Sequence, residues 1–167
     1  RERPERLLVI GGGPIGCELG QSFSRLGCKV TIIDIADRVM LPEDEDVASL
    51  LMTQLEAEGI ELKLHYSVDS FSIENNQQFA SIKTKEGGSM KLGFDAALFS
   101  IGRQANTTGM GLEELGIQTT RSATIEVDKY MRTSVPTIYA CGDVAGPYQF
   151  THTAAHYAWY SAVNSLF

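Results

Sequence analysis

The sequence predicts an α/β fold in which a doubly wound parallel sheet carries an antiparallel three-strand meander as an insertion. Three observations point there. Gly11, Gly12, Gly13, Gly16 and Gly20 fall within ten residues, directly after the apolar run Leu7, Leu8, Val9, Ile10. Short apolar runs then alternate with helical periodicity over the first 64 residues, and from Val68 the period drops to two. A parallel βαβ pattern with a β excursion in place of one crossover helix is Rossmann-like.

The first apolar run reads as a buried strand, and Ile15, Leu19, Phe23 and Leu26 recur at helical spacing until Gly27 supplies a stop. Residues 30–33 form a second β-branched strand ending at Asp34, so a βαβ unit carries Gly-x-Gly-x-x-Gly (Gly11, Gly13, Gly16) at its first turn. In that pattern Gly11 permits the tight turn, Gly13 leaves room for a pyrophosphate, and Gly16 lets helix and strand approach closely. The helix N-terminus offers unpaired N–H groups to phosphates. Asp34, at the end of the second strand, is placed to accept hydrogen bonds from an adenosine ribose diol and to repel a 2′-phosphate, which favours NAD over NADP. Arg38 would blur that preference if it reached the ribose.

A polar connection with Pro42 and the acidic run 43–46 suits the start of a second helix, whose expected buried stripe is Val47, Leu50, Leu51 and Leu55, ended by Gly59. Residues 60–64 make a third parallel strand. Phe71 and Ile73, then Ala80, Ile82 and Thr84, then Met90, Leu92 and Phe94 alternate with polar residues around turns at Asn75-Asn76 and Glu86-Gly87-Gly88, which predicts the meander. Residues 96–101 return as a buried parallel strand, with Gly102 at its carboxyl end, where α/β sheets bind ligands.

Composition narrows the function classes. The chain has 167 residues, 43% hydrophobic and 21% charged, enough for a core without staples and without the long uncharged run of a membrane span. Its 14 basic and 21 acidic residues, net −7, argue against a nucleic-acid-coating protein. Cys17, Cys28 and Cys141 are expected as free thiols in a reducing compartment, the cytoplasm, and no signal peptide is expected. His152 and His156 share a helix face without a third ligand, so no metal site is expected.

Four stretches together resemble the NAD-binding domain of the flavin-dependent pyridine nucleotide–disulfide oxidoreductases, the family of dihydrolipoamide dehydrogenase, glutathione reductase and mercuric reductase. They are Gly-Gly-Gly-Pro-Ile-Gly-Cys-Glu-Leu-Gly at 11–20, Asp34 with Asp37-Arg38, Ser-Ile-Gly-Arg-Gln-Ala-Asn-Thr at 100–107, and Thr-Ile-Tyr-Ala-Cys-Gly-Asp at 137–143. The resemblance implies that Glu18 helps place the nicotinamide carboxamide, that Pro14 and Ile15 line its approach, that the Val68 backbone faces the adenine, and that Gly102 packs against the cofactor. Arg103 and Asn106 fit the family's Gly-Arg-x-Pro-Asn motif, with Ala105 in place of its proline. Gly142 and Asp143 match the pair that binds the FAD ribityl chain, and the resemblance implies a following helix over Thr151 to Leu166 whose start, the backbone around Thr151 and His152, is aimed at the flavin; its apolar stripe (Ala155, Ala158, Trp159, Ala162, Val163, Leu166) must lie against something.

The family's N-terminal FAD-binding glycine motif, Cys-x4-Cys redox pair and His-Glu interface domain do not occur in these residues. The chain is therefore expected to be a truncated piece: an NAD-binding domain over 1–110 and, over 111–167, the C-terminal part of a split FAD-binding domain. The expected parent is a homodimer that passes a hydride from NADH to FAD and on to a disulfide or similar sulfur acceptor. The piece alone is expected to bind NADH without turnover. Residues 148–152 lean toward mercuric-reductase-like members. A stand-alone nucleotide sensor and a homodimerisation module built on the last helix are the alternatives.

Overall fold

The computed structural model describes residues 2–84 and 87–167; Glu86, placed in a turn by the sequence, lies outside them. The chain divides into two compact units, Arg1–Gly102 and Arg103–Phe167. The first ends short of residue 110 because the segment beyond Gly102 is tied into the second: Thr107 is buried and its hydroxyl donates to the Ala123 carbonyl at 2.7 Å.

In the first unit β1 (Arg6–Ile10), α1 (Pro14–Arg25), β2 (Lys29–Asp34), α2 (Glu45–Ala57) and β3 (Glu61–Leu64) follow the expected order. An antiparallel sheet, β4 (Tyr66–Glu74), β5 (Gln77–Thr84) and β6 (Ser89–Phe94), precedes β7 (Ala96–Phe99). The parallel strands run in the order β3-β2-β1-β7. The order reverses between β1 and β7, so their carboxyl ends flank the crevice where such sheets take ligands.

Alternation along β1 builds two cores. Leu7 and Val9 point to the helical side, packing with Cys17, Val30, Ile32, Leu55 and Ile60. Leu8 points to the other face and packs with Ile33 and with Ala80, Ile82 and Phe94 of the meander. The meander thus covers the face that a crossover helix would cover in an uninterrupted α/β repeat. Its first turn is the expected one: Asn75 and Asn76 have φ of 49° and 62° between the paired residues Glu74 and Gln77, the left-handed backbone that asparagine tolerates in two-residue hairpins.

Two helices bury different faces from those expected. In α1 the buried residues are Gly16, Cys17 and Gly20, whereas Ile15, Leu19 and Leu26 are exposed. Small residues let the helix backbone settle on the sheet, with a Cβ at Gly20 only 3.2 Å from Ile32, so Ile15 and Leu19 are turned to the flanks while Phe23 packs against the core. In α2, Ala48 and Leu55 are buried and Leu51 and Met52 pack against the core, while Val47 and Leu50 are exposed. The buried set at 48, 51, 52 and 55 is itself one helical stripe, rotated from the one expected.

Glu58, capping α2, joins the C-terminal ends of both helices. It accepts hydrogen bonds from Arg25 at 2.7 and 2.8 Å, Gln54 at 2.8 Å and Gln21 at 3.0 Å, and its carbonyl takes the Ser24 hydroxyl. Hydrogen bonding from Arg25 first, then from Gln54, lowers its pKa to about 2. Because the folded pKa lies below that of the unfolded chain, this contact stabilises above the ordinary carboxylate range and is lost as pH falls from about 4 toward 2. Glu58→Gln is expected to lower the urea midpoint at pH 7, with the gap to wild type closing as the pH approaches 2.

The second unit has little regular structure before a 3-10 turn at Gly142–Ala145 and the helix α3 (Thr151–Leu166). Its core is Ile117, Ile125, Ala140 and Ala145, with Leu112, Val127, Val135, Ile138 and Val144 packed around them. Tyr139 Oη donates to the Asn164 carbonyl at 2.8 Å, and Asn164 Nδ2 donates to the Tyr130 carbonyl at 3.3 Å, tying α3 down. Tyr157, Ser161 and Asn164 are half-buried, whereas Ala155, Trp159, Ala162 and Leu166 of the expected stripe are exposed. Among the described residues no helix is long and apolar enough to cross a membrane.

Candidate functional site

The glycine turn lies between the ends of β1, β2 and β7, and its glycines are needed for different reasons. Gly11 has φ +103°, and a Cβ there would lie 2.4 Å from the Ser100 carbonyl oxygen. At Gly16 a Cβ would lie 1.9 Å from the Gly11 carbonyl oxygen and 2.8 Å from Ser100 Oγ. A side chain at Gly12 would strike Val39 at 2.9 Å. Gly13 differs from all three: it caps α1 with φ −74°, and a Cβ there would meet nothing within 4 Å. Neither backbone nor packing demands glycine at that position.

Hydrogen bonds consume most polar groups of the turn. Gly11 N–H donates to Ile33 at 2.8 Å, and Gly12 N–H donates to Asp34 Oδ2 at 2.6 Å. The Gly12 carbonyl accepts from Met40 N–H at 2.8 Å and from the Cys17 thiol at 3.3 Å. The Gly13 carbonyl accepts the first helical bond, from Cys17 N–H at 3.0 Å. Pro14 has no N–H, so the amides of Ile15 and Gly16 are the unpaired donors of the first helical turn.

Asp34 is half-buried, and its Oδ1 accepts from Ala36 N–H at 2.8 Å. Each carboxylate oxygen keeps acceptor capacity beyond its one backbone bond. Arg38 donates to the Leu41 carbonyl at 3.3 Å and stands 3.9 Å from Asp37, turned to its own loop. Pro14, Ile15 and Glu18 are exposed on the first turns of α1, and Gly102 is exposed beyond β7 with φ +117°. Val68 is set apart from these, in β4 beside a bulge between Val68 and Ser70, packed on the Leu8–Ile33 core.

The thiols are placed for packing. That holds for Cys17 and Cys28, which are buried; Cys141, just before the 3-10 turn, is exposed instead. Burial, then the charges of Asp34 and Glu18, push the Cys17 thiol up to about 11, so it stays protonated at neutral pH and is a poor nucleophile.

In the second unit the 3-10 turn packs against α3. Gly142, with φ +78°, opens the 3-10 turn, and a Cβ there would touch Ala154 of α3 at 3.6 Å. Asp143 follows it and is exposed, as are Thr151 and His152 at the start of α3. The His152 ring stacks on Phe150, centroids 5.4 Å apart. Arg103 donates to the Gln149 carbonyl, holding the loop before α3, and Ala105, which stands where the resembled motif has proline, is buried. Among the described residues no group of three or more His, Cys, Asp or Glu side chains could hold a metal ion.

Sequence reasoning assigned no role to Ser100 or to the Gly12 amide. The signal available was Ser100 itself, a hydroxyl residue ending an apolar strand beside a glycine turn.

The family model for pyridine nucleotide-disulphide oxidoreductases matches residues 1–158. The dihydrolipoyl dehydrogenase of Bacillus subtilis is 40% identical over 155 residues, 93% of this chain and 33% of that protein. That of Thermus scotoductus is 36% identical over 97% of this chain and 35% of its own length. Among solved structures, the HOCl-induced flavoprotein disulfide reductase RclA of Escherichia coli superposes with TM-score 0.84 at 32% identity, over 99% of this chain and 37% of that one. The water-forming NADH oxidase of Lactobacillus brevis, solved bound to NADH, gives TM-score 0.84 at 29% identity over 98% of this chain and 37% of that one. The chain spans about a third of the length of these relatives.

Proposed function

Because the chain belongs to the pyridine nucleotide-disulphide oxidoreductases, we propose that its first unit binds NAD(H) at the glycine turn and that its second unit supplies part of an FAD site in a longer flavoprotein. The observation that carries the first half is Gly13. It is a glycine that neither its φ nor its surroundings require, at the start of a helix whose first amides are unpaired, which suits close approach of a diphosphate.

In this reading the pyrophosphate takes the amides of Gly13, Ile15 and Gly16, and Asp34 accepts from the adenosine ribose with the acceptor capacity left on its oxygens. Glu18, Pro14 and Ile15, exposed along the same helix, order the nicotinamide end, Gly102 borders it from β7, and the Val68 backbone serves the adenine. Gly142 and Asp143 meet the ribityl chain, and the Thr151–His152 backbone faces the flavin. The bound pair supplies hydride transfer from NADH to FAD and onward electron transfer to a disulfide or similar sulfur acceptor. This chain's own part is to bind and orient, since Cys17 is a buried thiol held protonated and the piece turns nothing over alone. Its free thiols fit the cytoplasm, and the full protein works as a homodimer.

The exposed stripe of α3 supports the presence of further chain against the second unit; it also favours a second reading, in which α3 pairs two copies of this piece. Sedimentation at high concentration separates the two, a monomer removing the second. The nucleotide reading is tested by calorimetric titration with NADH and NADPH. NADH is expected to bind at least tenfold more tightly, because the Asp34 carboxylate repels a 2′-phosphate. Equal affinities would remove the NAD preference, and no binding of either would remove the site.

A further inference from the structure

Building on the nucleotide-binding reading, we infer that Asp34 and Ser100 are positioning residues that clamp the Gly11–Gly12 peptide from opposite sides and thereby set the phosphate cradle.

This one peptide unit is held at both ends by side chains from different strands. Its N–H, on Gly12, donates to Asp34 Oδ2 at 2.6 Å from the end of β2. Its carbonyl, on Gly11, lies 2.8 Å from the Ser100 hydroxyl oxygen, just past β7, and the Ile10 carbonyl lies 3.0 Å from the same hydroxyl. Ser100 has one proton to give and shares it between these two carbonyls. Rotating a peptide plane gripped at both N–H and C=O breaks both hydrogen bonds at once.

That fixed plane matters because the next atoms form the cradle. Gly13 follows Gly12 directly, and its carbonyl starts the helical ladder at Cys17. Rotation of the Gly11–Gly12 plane would swing the Gly13 amide and tilt the start of α1, so the clamp holds the phosphate donors in place before a ligand arrives. Preorganisation of this kind raises affinity by removing an ordering cost. Glycine at position 11 makes the peptide the turn's softest point, since a residue without a Cβ takes φ +103° without strain and is equally free to take other values. The clamp therefore acts where the chain is otherwise most free to move.

Asp34 consequently has two duties. Ribose contact is one, and it concerns only ligands with a ribose diol. The clamp is the other, and it affects any diphosphate. Asp34→Asn separates them: the amide keeps the shape of the side chain but offers one acceptor oxygen, while the N–H groups of Gly12 and Ala36 need two. Ser100→Ala removes the other jaw at a residue with no part in ribose contact.

The test uses ADP and 2′,3′-dideoxyADP with the 167-residue chain, together with amide hydrogen exchange without ligand. Ser100→Ala is expected to weaken both nucleotides about tenfold, the scale of one lost hydrogen bond, and Asp34→Asn to weaken the dideoxy compound by about as much. Without ligand, the Gly12 amide should exchange slowly in wild type and at least about tenfold faster in either variant, while Ile32 and Ile82 in the strand ladders keep their rates. Unchanged nucleotide affinity in Ser100→Ala, or an Asp34→Asn loss confined to ADP, overturns the clamp's role in binding. Rapid exchange of Gly12 in wild type, or equal acceleration at every amide, overturns the clamp itself. If wild type binds neither nucleotide, the nucleotide reading fails and the binding role falls with it, whereas the clamp is still decided by exchange.

Discussion

Gly16→Ala is expected to destabilise the first unit by about 3 kcal/mol or more, the upper end of overpacking costs, because the intruding Cβ meets backbone. The contact is with the Gly11 carbonyl at 1.9 Å, and the Ser100 hydroxyl stands behind it at 2.8 Å. Neither a rotamer change nor a shift of one flexible side chain relieves a clash with a backbone carbonyl, here one that the Ser100 hydroxyl also holds. The companion substitution behaves oppositely. Gly13→Ala places its methyl in open space at a φ of −74°, so loss of a favourable cap residue and gain from a stiffer unfolded chain, each about 1 kcal/mol or less, roughly offset. Urea titrations should therefore separate the two glycines sharply. Calorimetry with NADH should show the reverse weighting for Gly13→Ala, which keeps the fold and loses at least tenfold in affinity because its methyl occupies the approach to the phosphate amides. A Gly13→Ala protein that binds NADH as tightly as wild type would show that this glycine serves no diphosphate.

The division between what the sequence made legible and what it hid follows the range of the signals. The glycine turn, the order of strands and helices, and the Asn75-Asn76 hairpin were readable because each rests on residues adjacent in the chain. The α3 boundaries came from the family resemblance instead. Which face a helix buries was not readable. In α1 the larger side chains at 15, 19 and 26 follow helical spacing and outweigh Gly16, Cys17 and Gly20 in any hydrophobicity argument, yet close packing on the sheet selects the small ones. Hydrophobic periodicity measures transfer energy, and backbone approach is a matter of shape. The role of Ser100 was hidden by distance, since its hydroxyl meets a carbonyl 89 residues away. In the second unit, the core residues Ile117, Ile125 and Ala140 sit in irregular backbone joined only by isolated bridges such as Thr119–Ile125 and Arg132–Tyr139. Neither of the two periods by which sequence announces structure is present there.

Leu8→Ala and Leu50→Ala put the corrected core to a quantitative test, since the sequence pattern assigned Leu8 to a buried strand and Leu50 to a buried helical stripe. Leu8 is 0% exposed in the central strand β1, which pairs with both β2 and β7, and it fills the space between the parallel sheet and the meander. Its neighbours Ile33, Ala80 and Phe94 belong to three separate strands whose hydrogen-bond ladders prevent them from closing over a cavity. Truncation there is expected to cost about 3–5 kcal/mol, lost transfer energy plus an unrelaxed void. That is a large share of the total stability of a domain of this size. Leu50, at 73% exposed on α2, loses almost nothing that folding buried, and alanine is a better helix former, so its substitution should stay within about 0.5 kcal/mol of wild type. Chemical denaturation of the two variants under one condition decides the matter. A large loss for Leu50→Ala would mean that the stripe at 47, 50, 51 and 55 packs inward after all, and would rotate α2 on the sheet. A small loss for Leu8→Ala would mean that the meander does not seal against β1, and that the second face of the parallel sheet is covered by something other than Ala80, Ile82 and Phe94.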